Sequence, residues 1–473
     1  MRSSEAATID RPMVAHLAVS RTFVIDLCLV LGLFAITLWR LLPAVDSTPF
    51  HRDEARWIGN SALLREWRHP LGIRWQDEGY PDLYGTLDER NRRRSQPPLA
   101  MYYIGAGLLL QGHDLPGTGY WIMDKGPKWN TAHGNMPASG DVRAARRTSI
   151  FAAGLTVIAL FLIGSGLTNR VGGVATALIY AVHPLVLDVS TRAWSDPLLV
   201  FCIALAALAA GRLAARPTWA SAALAGLFLG LGGATKLSPL AIAGGLGGLG
   251  IAMVAWSFLG PGASAGHLRR LGVRLVAVPP IASLVFVAVY PYLWKDPIAH
   301  TRWMLDFRTE SFRLQALSFP PAKVSSRTDA FRRVGRELGD RFSAGGLIAK
   351  NLAHHLGTGD WTWLHDLDLL LASAGWIVIA AIAIRRGTAN PPILIAAVIG
   401  GQALFIVLAM GVEYARYLMP VLLAVAVGAG AIFGVGWEIV AHATMPRRRA
   451  GSDSSPLRQR SHAAEAEHAP CSP

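Results

Sequence analysis

The stretch "PPLAMYYIGAGLLL", Pro97–Leu110, decides how the rest of the chain is drawn. A membrane-spanning helix needs about 20 mainly apolar residues, and this run falls short and opens on two prolines. It reads as an interfacial or re-entrant helix that does not cross. Everything from about 44 to 147 is then one long loop on one side. Ten longer apolar runs surround it, at 22–43, 148–166, 171–187, 196–213, 218–235, 237–258, 272–293, 367–384, 391–409 and 416–441. With Pro97–Leu110 not crossing, the arginines of the short loops all fall on the N-terminal side. They are Arg212 and Arg216, then Arg269, Arg270 and Arg274, then Arg385 and Arg386, then Arg447, Arg448 and Arg449. Short loops rich in arginine face the cytoplasm. The long loops 44–147 and 294–366 then face outward, and loops of that length are exempt from the charge count. Drawing Pro97–Leu110 as a crossing would break this agreement for every later loop.

Composition agrees with the drawing. Of 473 residues, 52% are hydrophobic and only 16% charged, where soluble domains carry nearer a quarter. The fold class expected is therefore an all-α polytopic membrane protein. The formal net charge of +14 raises the question of nucleic acid. That charge is scattered through short segments between apolar runs, as topology requires, and no nucleic-acid motif accompanies it. Three cysteines, Cys28 and Cys202 in apolar runs and Cys471 near the end, make no CxxC pair and no disulfide framework. The run Thr22–Ala44 is too long for the apolar region of a signal peptide and reads as an uncleaved first span. Residues 1–21 form a cytoplasmic leader, and 442–473 a disordered cytoplasmic tail without an apolar pattern.

On this map the unusual polar residues collect on the outer face. "RDEA" places Asp53 and Glu54 just past the first span. Gln96 precedes the proline pair. Arg146 and Arg147 stand at the mouth of the second span, and "STRAWSDP" sets Arg192 and Asp196 between the third and fourth. "ATKLSP" puts Lys236 between the fifth and sixth. Tyr290, Tyr292 and Asp296 close the seventh, and Glu413, Arg416 and Tyr417 open the tenth. Lys236 stands out because six lysines leave thirty-nine arginines among the 45 basic residues.

Each has a plainer reading. Lys236 snorkels to headgroups, Asp196 caps a helix before Pro197, and the arginine pair anchors lipid phosphates. The acidic pair opens a surface helix whose apolar residues 57, 58, 63, 64 and 67 lie on the membrane. Neighbours on a helix diverge by about 100°, so only one carboxylate points squarely into a site while the other braces it.

"RDEA", "QPPLAMYYIGAGLLLQG", "RRTSIFAAG", "STRAWSDPLLVF", "GGATKLSPL" and "EYARYLMP", in that order, resemble the dolichyl-phosphate-mannose protein mannosyltransferases, glycosyltransferase family 39. These belong to the GT-C class of polyprenyl-phosphate-sugar transferases. The resemblance runs from about 22 to 440. It implies a GT-C bundle of about ten spans (22–441) with interfacial helices in the first outer loop. It also implies that Asp53 is the catalytic aspartate with Glu54 beside it. The family arginine seven residues before a glycine maps onto Arg147, with Gly154 as the glycine. The R-A-x-x-D turn maps onto Arg192 and Asp196. Where the family commonly has His or Lys before the proline pair, this chain has Gln96.

A polyprenyl-phosphate sugar donor needs a base for the acceptor hydroxyl and cations for the departing phosphate. Asp53 and Glu54 supply the carboxylates. Arg146, Arg147, Arg192 and Lys236 supply the cationic cradle, with Asp196, Gln96, Tyr292, Glu413 and Arg416 in support. The acceptor is left open among protein Ser/Thr, lipid and cell-envelope glycan. No cofactor is assigned, and a divalent metal stays open at Asp53 with Asp196. His354/His355 and His365/Asp366/Asp368 have no strong ligand spacing. The rival class is a lipid-linked substrate transporter or flippase. Against it stand the lack of inverted repeats and the gathering of charge at one face instead of the midplane. The expected location is the bacterial plasma membrane, with the site on the extracytoplasmic face.

Overall fold

A computed structural model describes residues 21–76, 94–116, 121–122, 125–259, 265–359, 361–387 and 389–444. The leader and nearly all of the tail expected above lie outside the described residues. The chain divides into a main unit, Met1–Val435, and a C-terminal unit from Gly436. All the candidate site residues belong to the main unit.

Among the described residues helices account for the regular structure, with one isolated antiparallel bridge between Lys323 and Val412. The first span is α1 (Arg21–Leu41). The long first loop holds α2 (Arg52–Asn60), a 3-10 turn over Ser61–Arg68, and α3 (Leu99–Leu110). Then come α4 (Ser139–Leu167), α5 (Arg170–Val182), α6 (Pro184–Ser190), α7 (Asp196–Ala215), α8 (Trp219–Gly233) and α9 (Ser238–Leu259). The helices α10 (Ala265–Val276) and α11 (Val278–Val289) lead into the second loop. That loop carries α12 (Pro297–Ser318), α13 (Arg327–Arg336) and α14 (Ala344–Leu356). Last are α15 (Leu367–Arg385), α16 (Pro391–Leu408) and α17 (Met419–Thr444).

Every one of the ten apolar runs is helical, and among the described residues eight helices are long and apolar enough to cross a membrane, or nine if the bent pair counts as one span. The third run bends by 57° between α5 and α6, where Pro184 has no N–H to continue the ladder. The fifth, α8, is 15 residues long and ends in Gly232 and Gly233. The stretch from Leu418 to Ala431 is buried at every position, as expected of a helix apolar all round at the centre of a bundle. α4 and α7 share that interior, whereas α1 keeps most of its apolar surface outward.

Pro97–Leu110 is short, as expected: α3 has 12 residues, about 18 Å at 1.5 Å per residue. It is fixed along α4. Tyr103 Oη donates to Thr148 O at 2.9 Å, and Gln111 Nε2 donates to Ala144 O at 2.9 Å. The approach needs Gly107, since a Cβ there would meet Thr148 Oγ1 at 2.0 Å. The apolar face of α2 is not spread on lipid. Ile58 is fully buried among Ile104, Leu108 and Val142, while Leu63, Leu64 and Trp67 pack beside Trp75, Tyr102 and Tyr290. α3 and α4 supply that face with protein partners.

Candidate active site

α2 begins at a capping box. His51 Nδ1 accepts from the Asp53 N–H at 3.1 Å, and the His51 N–H donates to Glu54 Oε2 at 2.9 Å. One helical position later the two carboxylates part company. Glu54 is fully buried and saturated. Besides His51, it accepts from Arg146 Nε at 2.8 Å, Arg146 Nη2 at 2.9 Å and the Ala193 N–H at 3.0 Å. Asp53 keeps 21% of its side chain exposed, and its Oδ2 accepts from Arg416 Nη1 at 2.8 Å. Among the described residues its Oδ1 has no hydrogen bond. Burial alone would raise the Asp53 carboxyl, but Arg416, His51 and Arg56 outweigh it and hold it below the usual carboxylate range. Burial lowers the His51 imidazole, helped by Arg416 and Arg192 and opposed by Asp53 and Glu54.

The cations separate in the same way. Arg146, expected in the phosphate cradle, has no N–H to spare. Beyond the two bonds to Glu54, Nη1 donates to Val45 O at 2.6 Å and Thr48 O at 2.8 Å, and Nη2 to Pro49 O at 3.4 Å. All five guanidinium donors are used inside the protein. Arg147 lies about 100° around α4 from it, exposed, on the stripe shared with Arg143 and Phe151. Among the described residues it makes no hydrogen bond or ion pair, and it does not join the cluster around Asp53.

Arg192, Lys236 and Arg416 do join it. Arg192 Nη1 donates to Pro49 O at 2.7 Å, and its Nη2 stands 3.4 Å from Asp188. Its guanidinium lies 5.3 Å from the Trp194 ring, and the Arg416 guanidinium lies 4.9 Å from the same ring. The two cations therefore share the Trp194 ring, with His51 edge-on at 5.2 Å. Lys236 Nζ is 2.5 Å from Asp196 Oδ1 and 4.6 Å from the Tyr417 ring, and Tyr417 also faces Arg416 at 5.6 Å. Asp196 is not the helix cap. Ser195 holds that position, and the buried Asp196 carboxylate is turned to Lys236 instead.

The supporting residues divide. Gln96 is half-buried just before the turn that docks on the fifth run, where the Leu99 N–H donates to Ala234 O at 2.9 Å. Tyr292 is buried, stacked on His300 at 4.3 Å with Arg94 5.7 Å from its ring. Glu413 does not touch Arg416. Its carboxylate is bound by Arg333 and Arg336 of α13. No group of three or more His, Cys, Asp or Glu fit to hold a metal occurs among the described residues. Asp53 and Asp196 are already neutralised by Arg416 and Lys236, a donor set that does not suit a divalent ion.

These contacts also bear on the topology. Asp53, Arg192, Lys236 and Arg416 come from the loops after the first span and between the third and fourth, fifth and sixth, and ninth and tenth. They meet at one end of the bundle.

Residues 128–259 match the family described as "Dolichyl-phosphate-mannose-protein mannosyltransferase". The match contains Arg146, Arg147, Arg192, Asp196 and Lys236. No curated protein matches the chain. Among solved structures, it is similar to the archaeal oligosaccharyltransferase AglB from Archaeoglobus fulgidus in complex with an inhibitory peptide and a dolichol-phosphate. There the TM-score is 0.43 at 12% identity, over 90% of this chain and 52% of that one. An Archaeoglobus fulgidus oligosaccharyltransferase tethered with an acceptor peptide scores 0.45 at 13% identity, over 89% and 51%. The chain spans about half the length of those structures. Over residues 128–259 the resemblance drawn from the motifs is borne out, and this multi-pass, all-α membrane protein carries there the sequence pattern of the dolichyl-phosphate-mannose-protein mannosyltransferases.

Proposed function

We propose that the chain is an inverting membrane glycosyltransferase with a polyprenyl-phosphate sugar as donor. It moves a hexose, mannose by the family resemblance, to an acceptor hydroxyl such as that of a protein Ser or Thr. The observation that carries this reading is Asp53. It is the partly exposed member of the acidic pair, with one carboxylate oxygen free among the described residues. Three cations, Arg416, Lys236 and Arg192, share its end of the bundle.

The chemistry follows from that arrangement. Asp53 takes the proton as the acceptor oxygen bonds to the anomeric carbon. The bond from that carbon to the phosphate oxygen breaks on the opposite side. The electron pair leaves with the phosphate, whose charge the cations stabilise. Phosphate leaves without protonation, so one base suffices and a second acid carboxylate is dispensable. Glu54 fits a bracing role, because its oxygens are committed to Arg146, His51 and Ala193. The catalytic unit is the membrane domain 22–441, placed in a bacterial plasma membrane with its site on the extracytoplasmic face.

The test is incubation of purified protein with a panel of polyprenyl-phosphate sugars, assayed for release of polyprenyl phosphate. Release with one donor, dependent on a hydroxyl acceptor, is expected. A folded protein that releases none from any donor overturns the reading.

A further inference from the structure

The second loop returns to the site by an indirect route. Val324 N–H donates to Gly411 O at 3.1 Å and Glu413 N–H to Ala322 O at 2.8 Å, on either side of the Lys323–Val412 bridge. This short pairing ties the loop to the chain that enters α17. Side chains lock it. Arg336 Nη2 donates to both Glu413 oxygens at 2.8 Å, and Arg333 Nη1 binds Oε2. Arg333 also holds Asp329 at 3.0 Å and the carbonyls of Pro321 and Lys323, both at 2.9 Å. One guanidinium thus gathers α13, the 321–323 segment and Glu413. Three residues after Glu413, in the 3-10 turn Ala415–Leu418, Arg416 reaches back to Asp53.

We infer that α13 holds Arg416 on Asp53 through Glu413, with Arg333, Arg336 and Glu413 as positioning residues for that ion pair. Charge-assisted hydrogen bonds are short and directional, so a shift of about 1 Å in the 413–416 segment loosens a contact now at 2.8 Å. The charged groups involved are few. Asp53 faces Arg416, His51 and Arg56; Arg416 faces Asp53, Asp196 and Tyr417. Glu413 faces Arg333 and Arg336, with Glu337 as a like charge nearby.

The experiment is a double-mutant cycle on melting temperature of the solubilised full chain, using Asp53→Asn and Arg416→Gln. It is run in the natural background and again with Glu413→Gln. The two changes should be non-additive in the natural background, and the non-additivity should fall by at least half without the Glu413 charge. Equal non-additivity in both backgrounds overturns the inference. If Glu413→Gln does not fold, Arg336→Gln takes its place, since that side chain is 57% exposed, and Arg336→Lys should restore part of the coupling. Only the kinetic arm rests on the glycosyltransferase reading. There, Glu413→Gln should move the acidic limb of the pH–rate profile upward, because Asp53 loses the cation that depresses it. A fall in rate with an unmoved limb means a purely structural role and overturns the inference. Absence of turnover in the natural chain sinks the enzyme reading, while the melting cycle still decides the clamp.

Discussion

Two adjacent carboxylates, changed one at a time, should fail in opposite ways. Glu54→Gln removes the charge from a side chain with no exposure, whose partner Arg146 is 4% exposed. The amide cannot be oriented to satisfy both guanidinium N–H groups, since its own –NH2 must face one of them. Breaking a buried pair by removing one partner costs about 3–5 kcal/mol. Arg146 would be left charged with only the Val45, Thr48 and Pro49 carbonyls for partners, and α2 would lose its tie to α4 through Glu54. Asp53→Asn touches a pair whose side chains are 21% and 20% exposed. With both side chains four-fifths covered, that loss lies between the limits for exposed and buried pairs, on the order of 1–3 kcal/mol. The amide, however, cannot take the acceptor proton, and general base catalysis is typically worth about 10²–10⁴-fold. Thermal unfolding of the solubilised protein, followed with turnover on the same samples, separates the two. Glu54→Gln should melt the further below the natural chain, and Asp53→Asn should lose less stability but be inactive. Equal loss of stability in both, or a stable and inactive Glu54→Gln beside an active Asp53→Asn, would refute the division of roles.

Lys236→Met should weaken donor handling by roughly ten- to a hundred-fold, the worth of one charge-assisted contact. Because it also strands the buried Asp196, it is best measured as donor KM in the Lys236→Met/Asp196→Asn pair, where unchanged KM would make Lys236 a structural partner only. Gly375→Ala should cost about 1–3 kcal/mol or more, since its Cβ would sit 1.7 Å from Gly428 O where α15 meets α17. A melting curve checks it, and no change would mean the helices do not meet there. For sidedness, Lys128→Cys is exposed and should label from outside intact cells, whereas Asn130, fully buried, is unsuitable. Protection at 128 until the membrane is permeabilised would invert the map.

Much of the fold was legible because membrane helices announce themselves by length and apolarity, without partners being known. The parity of the loops, read from arginines such as Arg212 and Arg385, was enough to bring Asp53, Lys236 and Arg416 to one end. Side-chain assignment was legible only where local geometry decides it. That one of Asp53 and Glu54 points inward followed from the 100° turn. Which of Arg146 and Arg147 faces the loop did not, because it depends on how α4 is rotated against α1 and α3. Asp196 looks like a cap from its place before Pro197, and only the arrival of Lys236 from another turn shows otherwise. Trp194 and His51 do not stand out in the sequence. Their signal is there, an aromatic inside "RAWSD" and a histidine two positions before the aspartate, but neither residue type by itself implies a site. Nearness in sequence ties Glu413 to Arg416, whereas charge from α13, about eighty residues earlier, claims it.

The Asp53–Arg416 contact joins positions 363 residues apart. A nascent chain inserting its helices one after another makes the aspartate early and receives its arginine only after the helices between them have followed. Glu54 is partnered much sooner, once Arg146 and Ala193 have emerged. Until Arg416 is made, the aspartate has only its near neighbours His51 and Arg56 to answer its charge, and a chain cut short of that point lacks the Asp53–Arg416 contact. Quality control that recognises unpaired charge has, in this chain, a marker that disappears only when Arg416 arrives.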